Sequence, residues 1–244
     1  MIKRSETIAD KLCSDILAGT YKPGERLPAE RDLAHQLGAN RGSVREALLA
    51  LERMGLVTTR RGDGHTVRPL SEAHLELAGP LLKAGGTLHR EVIEEILDVS
   101  EALLAGAVYL AVERSSQPEL DRVRRRVTHL ADDRDPRRYH ERLGELIDLV
   151  ADVTGNLMLR LVRNTLRPAA DEGVRLLAPW LETDWLAVTR ALAAVDVALA
   201  AHDPGAAEAA VRGLYRLRRQ DISRAIDAQQ ESQARGDDPL KPPA

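Results

Sequence analysis

Two arginines four residues apart, Arg41 and Arg45, stand in "GANRGSVREALLALERMG" beside three small residues, Asn40, Gly42 and Ser43. At helical spacing the two guanidinium groups share one face, and the short side chains around Arg41 leave the start of the helix open. The chemistry available to such a set is recognition of a polyanion. Arginine matches guanine O6 and N7 bidentately, whereas Asn, Ser and the unpaired backbone N–H groups of a helix start suit phosphate oxygens. Further basic groups flank the set: Arg31 upstream, and Arg60, Arg61 and His65 around the turn Arg61-Gly62-Asp63-Gly64. Catalytic chemistry has little support. There is no phosphate-cradling Gly-rich loop and no Ser/His/Asp or Cys/His arrangement that the helical pattern brings together, so no enzyme is expected.

These side chains need elements to hold them. Ile8, Leu12, Ile16 and Leu17 recur at helical spacing over Ser5 to Ala18, and Gly19 follows as a stop. Pro28 suits the first turn of a second helix, striped by Leu33 and Leu37 and ended by Gly38. Asn40 is a good N-cap for a third, Arg41 to Met54, with Val44, Leu48 and Leu51 on its buried side. Two helices joined by three residues that include Gly have helix-turn-helix geometry. "GLVTTRRGDGHTVRPL" then alternates as two strands around a Gly-containing tip, a hairpin able to lie along an adjacent backbone or minor groove. Charge divides in the same place. Residues 1–70 carry 12 Lys and Arg against 9 Asp and Glu, a net of +3, and the remainder carries 23 against 29, a net of −6. Glu30 and Glu46 are expected to orient arginines or cap helix ends. The single Cys13, set among Ile8, Leu12 and Ile16, is expected to be packed inside.

The run "LPAERDLAHQLGANRGSVREALLALERMGLV", read with the following hairpin, resembles the N-terminal domain of the GntR family of bacterial transcription regulators. The resemblance implies a winged helix-turn-helix over residues 1–70 that binds double-stranded DNA. Carried over by position, it places Arg31, Asn40, Arg41, Gly42, Ser43 and Arg45 against bases or phosphates, with Arg61, Gly62 and His65 on the wing.

From Ser71 onward the signals are all helical. Val92, Ile96, Val99, Leu103 and Leu110 trace one stripe, "SSQPEL" a capped restart, and Leu143, Leu146, Ile147, Val150 and Val153 another, up to Gly155-Asn156. Helices are expected at Leu157 to about Arg175, Thr183 to Ala201 and Pro204 to Ile226, the last capped by Asp203. The fold class is therefore mainly α: a winged helix-turn-helix, a linker over residues 71–90, and an all-α bundle of six or seven helices over 91–230. The polar end, 231–244, reads as a disordered tail. At 43% hydrophobic residues, and with no apolar run near the ~20 residues of a membrane span, the chain is expected to be cytoplasmic.

A winged helix followed by such a bundle resembles the FadR subgroup of the GntR family, through "VIEEILDVSEALLAGAVYLA", "LIDLVADVTGNLMLRLVRNTL" and "ALAAVDVALAAHDPGAAEAAVRGLYR". The resemblance implies a homodimer reading a pseudo-palindromic operator, expected to act as a repressor under control of an effector in the bundle. Many members hold a metal there with one Asp and three His. Those positions fall here on Leu143, Ile147, Leu192 and Leu214, and aliphatic side chains cannot ligate, so no metal is expected. His140 is a decoy: it follows Asp135 in "DPRRYH" and precedes Ile147 by seven residues, about two helical turns. Ser100 replaces an Arg common in metal-containing members. The same resemblance points to a fatty acyl-CoA as effector, in a pocket drawn from Ser100, Leu103, Leu143, Ile147, Leu192, Leu214 and Arg218, with no cofactor. Arg218 and Arg219 are the candidates for a CoA headgroup, and Trp180 and Trp185 for a pocket wall or a packed corner.

Overall fold

The computed structural model describes residues 4–60, 64–82 and 89–235. It divides into two compact units, Met1–His89 and Arg90–Ala244. In the first, α1 (Arg4–Leu17), α2 (Glu30–Gln36) and α3 (Arg41–Arg53) pack around one core, followed by β1 (Val57–Arg60), β2 (Gly64–Val67) and a short α4 (Ala78–Leu82). The strands are antiparallel, with Val57 opposite Val67 and Thr59 opposite His65. Residues Leu12, Leu33, Val44, Leu48, Leu51 and Leu56 form the centre of the core. Cys13 is buried there too, and burial pushes its thiol up to about 11, which keeps it protonated and inert.

The local chemistry explains the boundaries. Asn40 caps α3 by accepting a hydrogen bond from the Ser43 backbone N–H at 2.8 Å. Gly38, at φ +56°, makes the left-handed turn out of α2 that a side chain would strain. Gly55, at φ +73°, has a second constraint: a Cβ there would stand 3.0 Å from the backbone of Glu72 and Ala73. Pro28 falls outside α2. Ala29 is extended (φ −59°, ψ 150°), so the helix begins at Glu30 and its first turn carries Glu30 and Asp32, favourable to the helix dipole.

The second unit contains six α-helices among the described residues: α5 (Arg90–Arg114), α6 (Gln117–Ala131), α7 (Pro136–Val153), α8 (Leu157–Leu177), α9 (Trp185–Ala200) and α10 (Pro204–Ala234). Helix α10 packs along α5 and α9, α6 lies on α9, and α7 on α8. The start signals operate as expected at α6, where Ser116 and Glu119 form a capping box, and at α10, where Asp203 accepts from the Ala206 N–H at 2.9 Å. Two expectations are corrected. The buried stripe of α5 is Ile93, Leu97, Leu104, Val108 and Ala111, one position along from the expected set, and Val99 is 45% exposed. This helix is apolar on more than one side, so periodicity alone does not choose its inner face. Helix α10 also continues eight residues beyond Ile226, because Gln229 and Ser232 are buried and extend its packed face. Residues 236–244, the rest of the expected tail, lie outside the described residues. No described helix is long and apolar enough to cross a membrane.

Adjacent leucines of α3 provide a test of this core. Leu48 has no exposed surface and Leu49 is 50% exposed. Leu48→Ala should destabilise the first unit by about 2–5 kcal/mol in urea unfolding, and Leu49→Ala by less than about 0.5 kcal/mol. Equal effects would mean that α3 is rotated from the orientation described.

Candidate nucleic-acid interface and ligand cavity

The face of α3 opposite Val44, Ala47 and Leu48 carries the arginines. Arg41 and Arg45 are exposed, and Arg45 is held bidentately by Glu30 of α2, Nη2 to Oε2 at 2.9 Å and Nε to Oε1 at 3.2 Å. The Arg45 guanidinium, through that hydrogen bond, holds the Glu30 carboxyl below its usual range. An exposed pair of this kind adds little stability and is screened by salt, so its consequence is orientation: one edge of the guanidinium is fixed and the rest points outward. Gly42 keeps the cap clear, since a Cβ there would approach Asn40 Oδ1 to 3.2 Å. Arg31 is well exposed at the start of α2, 3.4 Å from Asp32 Oδ1. On the hairpin, His65 Nδ1 and Thr59 Oγ1 share a hydrogen bond at 3.0 Å across the strands. Glu52 of α3 accepts from the Thr59 N–H at 3.2 Å, which ties the hairpin to the helix. Arg61 and Gly62, expected at the wing tip, lie outside the described residues. Glu30 thus orients an arginine as expected, whereas Glu46 makes no such contact among the described residues.

The second unit contains a cavity of about 640 Å³, measured with its open mouth. Leu143, Val174, Leu181, Val188, Leu214 and Ile222 line it, together with the polar groups of Tyr139, His140, Thr183, Tyr215, Arg218 and Asp221. Of the residues expected to form a pocket, Leu143, Leu214 and Arg218 are present. Ser100, Leu103, Ile147 and Leu192 are not in the lining, because the cavity opens among the first part of α7, the end of α8, the start of α9 and α10, while Ser100 and Leu103 sit on α5, Ile147 lies a turn beyond Leu143 on α7, and Leu192 is packed a turn beyond Val188 on α9. Trp180 is buried in the turn after α8, and Trp185 packs edge-on against Tyr139 at 5.5 Å with Arg134 over its ring, so neither indole forms the wall.

His140, the decoy for a metal ligand in the sequence, is engaged with Asp171 and Arg218. Its Nε2 lies 2.9 Å from Asp171 Oδ1 on α8, and its Nδ1 lies 3.2 Å from Arg218 Nη2 on α10. A guanidinium only donates, so Nδ1 accepts, and the imidazole is the neutral Nε2–H tautomer donating to Asp171. Burial, then the neighbouring Arg218, lowers its pKa from 6.5, with the Asp171 hydrogen bond opposing. Asp135 is not its partner. It caps α7 by accepting from the Arg138 N–H at 2.8 Å, and among the described residues no three His, Cys, Asp or Glu gather as a metal site. The basic runs are largely engaged: Arg124 with Asp196 at 2.9 Å, Arg126 with Glu145 at 3.0 Å, and Arg219 with Asp98 at 2.6 Å. Burial raises the Asp221 carboxyl, partly offset by Arg224 beside it, and pushes the Tyr139 hydroxyl up to about 12.

Residues 4–67 match the family of bacterial regulatory proteins named for gntR, and residues 95–217 match the FCD domain. The chain is 36% identical over 166 residues to the HTH-type transcriptional regulator Mce2R of Mycobacterium tuberculosis, covering 67% of this chain and 69% of the relative. It is 34% identical over 105 residues to the HTH-type transcriptional regulator LutR of Bacillus subtilis, covering 43% and 47% of the two chains. Among solved structures, E. coli McbR/YncC matches with a TM-score of 0.50 at 18% identity, over 93% of this chain and 99% of that one. The structure of Lar, which controls the expression of the Listeria monocytogenes agr system, matches with a TM-score of 0.59 at 14% identity, over 92% of this chain and 98% of that one. At these identities the structural likeness establishes the fold.

A neutral His140 links stability to pH. Because its folded pKa is lowered below 6.5, its contribution is fully present above about pH 6.5 and is lost as pH falls through the folded value. His140→Asn should therefore lose less stability than the wild type between pH 7.5 and 5.5 in urea titrations. Equal losses would show that the imidazole is not held neutral.

Proposed function

Because this chain belongs to the GntR family and is a DNA-binding transcriptional regulator with an FCD effector-binding domain, we propose that it acts as a cytoplasmic homodimer of the FadR subgroup. It reads a pseudo-palindromic operator, represses transcription from it, and is controlled by a fatty acyl effector, acyl-CoA or the acid sharing its chain. In this reading Arg41 and Arg45 enter the major groove, Arg45 as the bidentate base reader. Asn40, Gly42 and Ser43 bring the N-terminus of α3 up to a phosphate, Arg31 holds the backbone, and Arg61, Gly62 and His65 follow the adjacent groove. The bidentate Glu30–Arg45 pair carries the DNA part of the reading, since it aims a guanidinium outward from the exposed face of α3. The apolar lining of the cavity supports the effector class. The resemblance adds to it, since the positions where metal-containing members of the subgroup carry ligands fall here on Leu143, Ile147, Leu192 and Leu214.

Control follows from linkage. An effector releases DNA only by binding better to an arrangement of the dimer in which the two reading helices no longer match the half-site spacing. The test is binding of full-length protein to a pseudo-palindromic duplex by fluorescence anisotropy across a salt series, with palmitoyl-CoA and palmitate as probes, alongside native mass spectrometry. Affinity should fall steeply with salt, and an acyl probe should both bind and weaken the complex. A salt-independent affinity would make the unit a protein-interaction module, and a stoichiometric metal would move the effector to small carboxylates. Arg45→Ala should weaken operator binding by roughly one to two orders of magnitude; an unchanged affinity would remove it from the reading set.

A further inference from the structure

Arg218 stands apart from the other cations near it. On α10 itself Arg219 pairs with Asp98 at 2.6 Å and Arg224 with Asp221 at 2.5 Å, while on α8 Arg163 pairs with Asp148 at 3.1 Å. Arg218 has no carboxylate within ion-pair distance among the described residues, and its one hydrogen bond there is the donation to His140 Nδ1 at 3.2 Å. That partner carries no charge, because its own proton is directed to Asp171. A half-buried guanidinium therefore faces an apolar chamber with donors that no described protein group engages, a geometry suited to a charge-assisted contact with an anion.

The chamber also limits what that anion is. One unpaired cation matches one negative charge, and the next guanidinium along α10 is already held by Asp98 and Glu101. Asp221, in the same lining, is already paired with Arg224 and so leaves Arg218 to the ligand. The hydroxyls of Tyr139 and Tyr215 belong to the same wall, and neither has a hydrogen-bond partner among the described residues, which leaves neutral donors for a second lone pair.

We propose that this cavity takes its effector as the free acid, an aliphatic monocarboxylate whose carboxylate is held by Arg218 while the chain lies along Leu143, Val188, Leu214 and Ile222. The inference rests on the fatty acyl reading above and specifies the charged end of that ligand. His140 is a positioning residue: it fixes one edge of the guanidinium and leaves the other to the carboxylate.

Calorimetric titration of the full chain with laurate, methyl laurate and lauroyl-CoA tests this. Laurate should bind at least about tenfold more tightly than its neutral ester, the difference expected of a charge-assisted hydrogen-bond pair. Arg218→Gln should abolish that difference by weakening laurate alone, and Arg218→Lys should restore part of it. The ester comparison needs no variant, so it stands even if a substitution prevents folding. Lauroyl-CoA binding more tightly than laurate, or equal binding of laurate and its ester, overturns the carboxylate assignment while leaving the acyl reading in place. Failure of all three probes to bind overturns both.

Discussion

Val44, Ala47, Leu48 and Leu51 are without exposed surface, and the rest of the first unit depends on the face they define. A helix of thirteen residues has one buried stripe and one outward one, so locking these four against Leu12 and Leu33 determines where Arg41 and Arg45 point. The Asn40 cap adds a second constraint, because it fixes where the helix starts and therefore which N–H groups remain free to meet a phosphate. Glu30 then acts on a helix already set in place. Its carboxylate begins α2 and reaches across the turn to Arg45, so the helix-turn-helix angle and the guanidinium direction are properties of one packed unit.

The second unit solves a different problem, the placing of polar groups beside an apolar volume. Asp171, His140 and Arg218 come from α8, α7 and α10 and form a chain in which each hydrogen bond fixes the next. The negative end lies at Asp171 and the positive end at the cavity, with a neutral imidazole between them. Leu143 and Leu214 give the wall beside this chain an apolar surface, which would strengthen an interaction between the guanidinium and an incoming anion.

Much of this was legible in the chain itself, where the signal was local. Asn40 followed by a stripe at Val44, Leu48 and Leu51 specifies α3 almost to the residue, and Ser116 with Glu119 does the same for the start of α6. The pairing of Glu30 with an arginine was also within reach, because the short connection Leu37 to Asn40 forces α2 and α3 together. What failed depended on tertiary choice. Helix α5 offers more than one apolar face, and only its packing against α10, α7 and α8 decides that Ile93, Leu97 and Leu104 are buried. Of the seven residues expected in a pocket, three line the cavity, because which turns of α5, α7 and α9 face the open space depends on how the helices dock. His140 and Arg218, 78 residues apart in sequence, meet only when α7 and α10 dock.

That meeting gives the cavity a mechanical consequence within its own unit. Arg218 is the end of the chain of hydrogen bonds, so an anion bound to it competes for, or shares, the guanidinium that now orients His140. If the guanidinium turns toward the anion, His140 Nδ1 loses its donor, and a buried imidazole nitrogen without a donor is costly. The imidazole then gains from shifting with Arg218 or from taking up a proton, and it is tied through Nε2 to Asp171 on α8. Helices α7, α8 and α10 are therefore coupled at one ring, and differential binding at Arg218 has a route into the packing of all three. An apolar chain alone, lying along Leu143 and Leu214, would touch no member of that hydrogen-bonded chain, whereas an anionic end at Arg218 would meet it directly.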